Sequence, residues 1–149
     1  MAERTFLFIC GMILTVSCKT FTKCGLAKEL ARLGTLESDI DDYVCMAEHE
    51  SGFRTDIIGR ENPDKFRSRD HGIFQINDHW NCDPQNGKTT RNGCHSYCSN
   101  FRNADISDDL TCVQQLKREN RGFKFSKAWE KHCQQIPSDY LRECQHKEL

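Results

Sequence analysis

The chain has 149 residues, ten cysteines and a formal net charge of −1; 37% of its residues are hydrophobic and 29% charged. That length suits one domain rather than two, and that composition builds a packed core rather than a disordered chain. A charge so close to zero argues against nucleic acid or an anionic membrane held by non-specific electrostatics, and no apolar run reaches the ~20 residues needed to span a bilayer.

The chain opens with Arg4, an apolar run over residues 6–16, the small residues Ser17 and Cys18, and then the polar Lys19. A charged start, a short apolar stretch and a small-residue exit predict a secretory signal peptide over 1–18, leaving a secreted chain of 19–149. Cys10 and Cys18 leave with the signal. Cys24, Cys45, Cys82, Cys94, Cys98, Cys112, Cys133 and Cys144 remain. An even number in an exported chain predicts four disulfides. The close pair Cys94 and Cys98 has a zinc-like gap, but no second pair or histidine cluster answers it. Spacing alone leaves the pairing open.

Leu26, Leu30 and Leu33, with Ala27 and Ala31, recur at helical spacing over 23–33, and Gly34 is a stop signal. A second helix is predicted over 42–51, with Asp41 and Asp42 at its start and Gly52 at its end. Turn residues cluster at 59–64 and 83–87, and the apolar, β-branched run between them predicts a strand over 73–77. Leu110, Val113 and Leu116 predict a helix over 107–117, and a shorter one is predicted over 125–132. Helices, a small sheet and helices again make an α+β class.

Two acids stand out. Glu50 falls at the end of the second helix, where the negative end of the dipole favours the protonated form that a general acid needs. Asp70 stands just before the predicted strand, in a setting where Asp is uncommon. A protonated carboxylic acid facing an ionised one is the arrangement that cleaves a glycosidic bond. The bland alternative is two solvated surface acids.

The residues carry a resemblance at this point. Lys19-Thr20-Phe21, Val44-Cys45-Met46-Ala47-Glu48-His49-Glu50-Ser51, Asp70-His71-Gly72-Ile73-Phe74-Gln75-Ile76-Asn77 with Trp80 and Cys82, and Ala128-Trp129 with Cys133 resemble the c-type lysozyme and α-lactalbumin family over 19–145, with all eight cysteines in register. The resemblance implies an α+β lysozyme-like fold, a helical lobe with a small antiparallel sheet lobe. It implies the bridges Cys24–Cys144, Cys45–Cys133, Cys82–Cys98 and Cys94–Cys112. It implies hydrolysis of the β-1,4 bond between N-acetylmuramic acid and N-acetylglucosamine, with Glu50 as general acid and Asp70 as nucleophile or electrostatic stabiliser. Trp80, Asn77, Gln75 and Glu119 match positions that contact substrate. The implied ligand is peptidoglycan or a chitin-like oligosaccharide, bound by a secreted monomer that needs no cofactor and inserts into no membrane.

Several positions depart from the family pattern. Ser126 stands where a large aromatic usually walls the acid, and Lys127 follows it. If that cation faces the cleft, it lowers the acid's pKa below the family's habit and moves the optimum to acidic pH. The loop before Asp70 is longer than usual, Arg67 and Arg69 flank Asp70 as charge partners, and His71 replaces a tyrosine. These departures motivate the alternative, a carbohydrate- or partner-binding protein with weak or no catalysis. Asn100, Asn103, Asp105, Asp108 and Asp109 match the calcium loop of some family members. The competing and preferred reading is helix capping, with Ser107 as the cap and two acids in the first turn. The last four residues, His146-Lys147-Glu148-Leu149, differ from the retention signal H-D-E-L by Lys for Asp, and secretion is the preferred reading.

Overall fold

The computed structural model describes residues 18–145. The predicted signal segment, apart from the exposed and unbridged Cys18, and the four tail residues lie outside the described residues.

Helix α1 (Lys23–Arg32) starts where the Thr22 side chain accepts the N–H of Gly25, a cap of ~0.5–2 kcal/mol. It buries Leu26 and Leu30. Helix α2 (Glu37–Ser51) begins five residues earlier than predicted. Its first turn is rich in acids, so it lacks apolar periodicity, but Glu37 and Asp39 suit the positive end of the helix dipole. Tyr43, Val44, Cys45, Met46 and Ala47 are consecutive and all buried, so α2 is enclosed on every side at its centre. It stops at Gly52, in the left-handed region with φ 61°.

Strands β1 (Asp70–His71) and β2 (Ile76–Asn77) form an antiparallel hairpin with Asp70 opposite Asn77 and His71 opposite Ile76. A further antiparallel bridge joins Ile58 to His71. The strand predicted over 73–77 is therefore a strand only at its end. Gly72 and Gln75 both have positive φ, 77° and 50°, which turns the chain. Ile73 and Phe74 are consecutive and both buried because the hairpin tip drives into the core. Strand β3 (Cys82–Asp83) pairs in parallel with β4 (Ser96–Tyr97).

Helix α3 (Ser107–Glu119) follows, then a 3-10 turn over Phe123–Phe125, α4 (Lys127–His132) and α5 (Arg142–Gln145). The helix predicted over 125–132 is divided, because Ser126 is extended and caps α4 through the N–H of Trp129. One core unites the helices and the hairpin. Tyr43 of α2 meets Phe74 of the hairpin edge-on at 5.9 Å and Phe123 at 4.9 Å.

All four bridges implied by the resemblance form. Cys24–Cys144, Cys45–Cys133, Cys82–Cys98 and Cys94–Cys112 have Cα separations of 5.0, 5.9, 5.1 and 5.3 Å, inside the usual range for a disulfide. The first spans 120 positions, for which the chain-entropy account assigns ~4–5 kcal/mol.

Gly72 is the tightest point of the hairpin: a Cβ there would lie 1.9 Å from the carbonyl oxygen of Phe101. At Gly52 a Cβ would meet nothing within 4 Å. Gly72→Ala should therefore cost at least ~3 kcal/mol in denaturant unfolding, and Gly52→Ala only ~1–2 kcal/mol, the left-handed penalty alone. Equal losses at the two sites would show that the hairpin gives way without resistance.

Candidate active site

Glu50 lies in the last turn of α2, and that helix packs against α4. Ser126 is 6% exposed, and its hydroxyl donates to Glu50 Oε1 at 2.7 Å while its oxygen accepts the Trp129 N–H at 3.0 Å. Burial is the largest influence on Glu50 and pushes its acid above the ordinary carboxyl range. The Ser126 hydroxyl opposes that, the negative charge of Asp70 adds to it, and the Ala128 N–H opposes it again. A carboxyl group so placed holds its proton longer than a surface acid does.

The expected counterweight is different from the one found. Lys127 is exposed and is not among the groups that move Glu50; the opposing donor is Ser126 itself.

Asp70 is held by amides. Asn77 Nδ2 donates to its Oδ1 at 2.7 Å, and Asn62 Nδ2 donates to its Oδ2 at 2.9 Å. Both amides also reach Ser68 Oγ, at 3.0 and 3.2 Å, and Ser68 in turn donates to Asp64 Oδ2. The predicted partners do otherwise: Arg67 pairs with Glu61 at 2.6 Å, and Arg69 is exposed and meets Asp78 through its backbone, its N–H donating to Asp78 Oδ1 and its carbonyl accepting the Asp78 N–H. His71 alternates to the buried side of the hairpin, with Nε2 3.5 Å from Asp78 Oδ2. Burial lowers its pKa, and Asp78 opposes that.

The predicted contact residues occupy connected positions. Asn77 Oδ1 accepts the N–H of His79 at 3.0 Å and of Trp80 at 3.3 Å, so one side chain joins Asp70 to the exposed indole. Gln75 lies in the hairpin turn, where its Nε2 donates to the Gly72 carbonyl at 2.8 Å. Glu119 ends α3, and Gln115 links it to the Trp80 edge by donating to Glu119 Oε1 and to the Gly93 carbonyl. Gly93 itself donates to the Trp80 carbonyl.

Asn62, Ser68 and Phe66 are the residues that sequence reasoning missed. Asn62-Pro63 marks a turn, but no local signal tells which carboxylate the amide will reach.

Asn100, Asn103, Asp105, Asp108 and Asp109 lie before or at the start of α3. Asn103 Oδ1 accepts the Asp105 N–H, Asp105 Oδ1 the Ser107 N–H, and Asp108 Oδ1 the Asp109 N–H. Ser107 is thus the first helical residue, and the side chain that serves its N–H belongs to Asp105. Asp109 is 1% exposed with both oxygens unpartnered, and burial pushes its acid well up. Among the described residues Asp105, Asp108 and Asp109 do not gather a carboxylate oxygen each within 4.8 Å of one another.

Residues 19–144 match the C-type lysozyme/alpha-lactalbumin family. Lysozyme 1 of Musca domestica is 40% identical over 115 residues, covering 77% of this chain and 79% of that protein. The lysozyme of Hyalophora cecropia is 39% identical over 128 residues, covering 86% and 88%. Among solved structures, apo-type canine milk lysozyme superimposes with a TM-score of 0.77 at 36% identity, covering 85% of this chain and 98% of that one.

The raised acid of Glu50 has a stability consequence. Its protonated form is favoured on folding, so that contribution is whole below the ordinary value of 4.5 and is lost as pH rises through the folded value. Glu50→Gln, a permanently neutral copy, should unfold at a higher temperature than the native chain at pH 7, with the gap closing as pH falls through the raised folded value toward 4.5. Ser126→Ala should raise the Glu50 titration further, followed by carbon-13 NMR of the carboxyl, and should cost ~0.5–2 kcal/mol through the lost cap. A Glu50 resonance that does not move would refute the role given to the hydroxyl.

Proposed function

Because the chain belongs to the C-type lysozyme/alpha-lactalbumin family, we propose that it is a secreted glycoside hydrolase that cleaves the β-1,4 bond between N-acetylmuramic acid and N-acetylglucosamine in peptidoglycan. One observation carries the reading: a carboxyl group raised by burial, Glu50, feels the charge of a second, Asp70, whose two oxygens each accept an amide N–H. Lysozyme is the type case of this pairing of unlike carboxylates.

In the proposed mechanism Glu50 donates its proton to the glycosidic oxygen as the bond to the anomeric carbon lengthens. Positive charge develops on the sugar ring, and Asp70 answers it as a nucleophile or as a counter-charge. Asn62 and Asn77 are positioning residues, since they fix both Asp70 oxygens. After the leaving sugar departs, Glu50, now ionised, takes a proton from the incoming water as that water's oxygen bonds to the anomeric carbon and displaces Asp70 wherever Asp70 has bonded there. The scheme needs two carboxyl groups and water, and no cofactor. Trp80, half in solvent, supplies an apolar face to a pyranose. Four disulfides suit an oxidising, extracellular setting.

The test is peptidoglycan clearing across pH by correctly oxidised protein. Glu50→Gln should reduce clearing by about 10²–10⁴-fold, since an amide has no proton to give. Asp70→Asn should also lower it severely. Asn62→Ala should lower kcat more than it raises KM, because it loosens Asp70 and not the sugar platform. Clearing that survives Glu50→Gln would reject the mechanism, and a native chain that clears nothing at any pH would favour a glycan-binding protein without turnover.

A further inference from the structure

Asparagine precedes glycine twice in the chain, at Asn86-Gly87 and at Asn92-Gly93, both in the loop between β3 and β4. The dipeptide is chemically labile. The backbone nitrogen that follows an asparagine attacks the side-chain carbonyl carbon, and glycine, with no Cβ, leaves that approach open. The fold treats the two copies differently.

Asn86 and Gly87 are exposed. Gly87 has φ 79°, and a Cβ there would meet nothing within 4 Å. Among the described residues neither the Asn86 carbonyl oxygen nor the Gly87 N–H has a hydrogen-bond partner, so the peptide that joins them is free to turn. The side chain is not free. Asn86 Oδ1 accepts the Lys88 N–H at 3.0 Å, which folds the amide back over the turn and draws electrons from Cγ, the atom under attack.

Asn92 and Gly93 are partly buried. The side-chain carbonyl is engaged in a like manner, since Asn92 Oδ1 accepts the Ser96 N–H at 2.9 Å. The attacking nitrogen is what differs. The Gly93 N–H donates to the Trp80 carbonyl at 2.9 Å, and the Asn92 carbonyl accepts the His95 N–H at 2.9 Å. This peptide is held at both ends, and its nitrogen reaches Cγ only after those bonds break.

We propose that Asn86 is a modification site, at which the folded chain converts itself into a more acidic form, while Asn92 is held inert. The Gly87 nitrogen bonds to Asn86 Cγ as the Cγ–Nδ2 bond breaks. Nδ2 leaves as ammonia with the proton that the Gly87 nitrogen gives up, and a five-membered succinimide remains. Water, the only co-reactant, then opens the ring. Opening at the bond to Cγ leaves an aspartate at position 86. Opening at the main-chain carbonyl carbon leaves isoaspartate, with the backbone one carbon longer. Either product carries a carboxylate, so the formal charge of −1 becomes more negative by one unit. The new charge falls two residues from Lys88, whose ammonium donates to the Arg67 carbonyl at 3.0 Å and so ties this loop to the one that brings Asn62 to Asp70. No step uses Glu50 or Asp70, so the conversion does not depend on hydrolysis of a glycan.

The test is to age the chain, with its four disulfides intact, in mildly alkaline buffer. Peptide mapping by mass spectrometry follows both sites, and isoelectric focusing follows the whole chain. The peptide carrying Asn86 should gain one dalton and resolve into aspartate and isoaspartate forms while a more acidic band grows. Asn86 should convert at least about 10-fold faster than Asn92, whose peptide must first give up two ordinary hydrogen bonds. In the reduced chain unfolded in urea those bonds are gone, and the two rates should come within about 3-fold of each other. Asn86→Gln should remove the acidic band, because the longer side chain would have to close a six-membered ring. Equal rates in the folded chain, an Asn86 that stays intact while the unfolded chain reacts, a rate difference that persists on unfolding, or a band that survives Asn86→Gln would overturn the proposal.

Discussion

The pairing of Asp70 with Asn77 across the hairpin is the contact on which the rest of the site depends. In an antiparallel pair, directly opposed residues put their side chains on the same face. That places the Asn77 amide against one Asp70 oxygen. The oxygen of the same amide holds the backbone of His79 and Trp80. A slip of one residue would send every side chain of the strand to the other face. Asp70 would then lose its donor, and the indole its anchor, in one step. The register is protected from within, because Ile73, Phe74 and Ile76 are buried and Gly72 allows the tip to press on the Phe101 backbone.

Glu50 is placed by a different logic. Its helix is enclosed at the centre, tied to the α4 region by Cys45–Cys133, and ended at Gly52. Ser126 then performs two tasks with one hydroxyl. It accepts the Trp129 N–H, which starts α4, and it donates to Glu50, which tempers the effect of burial on the acid. Substituting a bulky aromatic there would remove the cap and the donor together, and would change both the helix and the acid.

Much of this was legible in the sequence because it follows from local periodicity or from residue type. Leu26 and Leu30 repeat on one helical face, Gly52 and Gly34 end helices, and the two acids announce themselves by unusual settings. The failures share a cause, which is that they depend on contacts between distant segments. The run at 73–77 has strand-like composition, but its turn is set by a close approach to Phe101 that no local pattern encodes. Arg67 and Arg69 looked like partners of Asp70 from adjacency alone, yet the donors are Asn62 and Asn77, placed by loop closure and by strand register. Lys127 follows Ser126 in sequence, but the first residue of a helix is turned by the cap that precedes it, and this one is exposed. The family resemblance made the disulfide pairing legible where spacing left it open.

The bridge between Cys24 and Cys144 makes nearly the whole chain a covalent ring. A single proteolytic nick anywhere between them frees no fragment, since both pieces remain joined through the bridge. Two nicks are needed, and the other three bridges retain most of what two nicks would release. The longest run without a cysteine lies between Cys45 and Cys82, and it carries Glu50, Asp70 and Trp80. The segment that bears the reactive groups is thus also the longest one that two cuts could excise, and its resistance to cutting rests on the hydrogen bonds of the hairpin and its loop and on the buried hairpin tip rather than on sulfur.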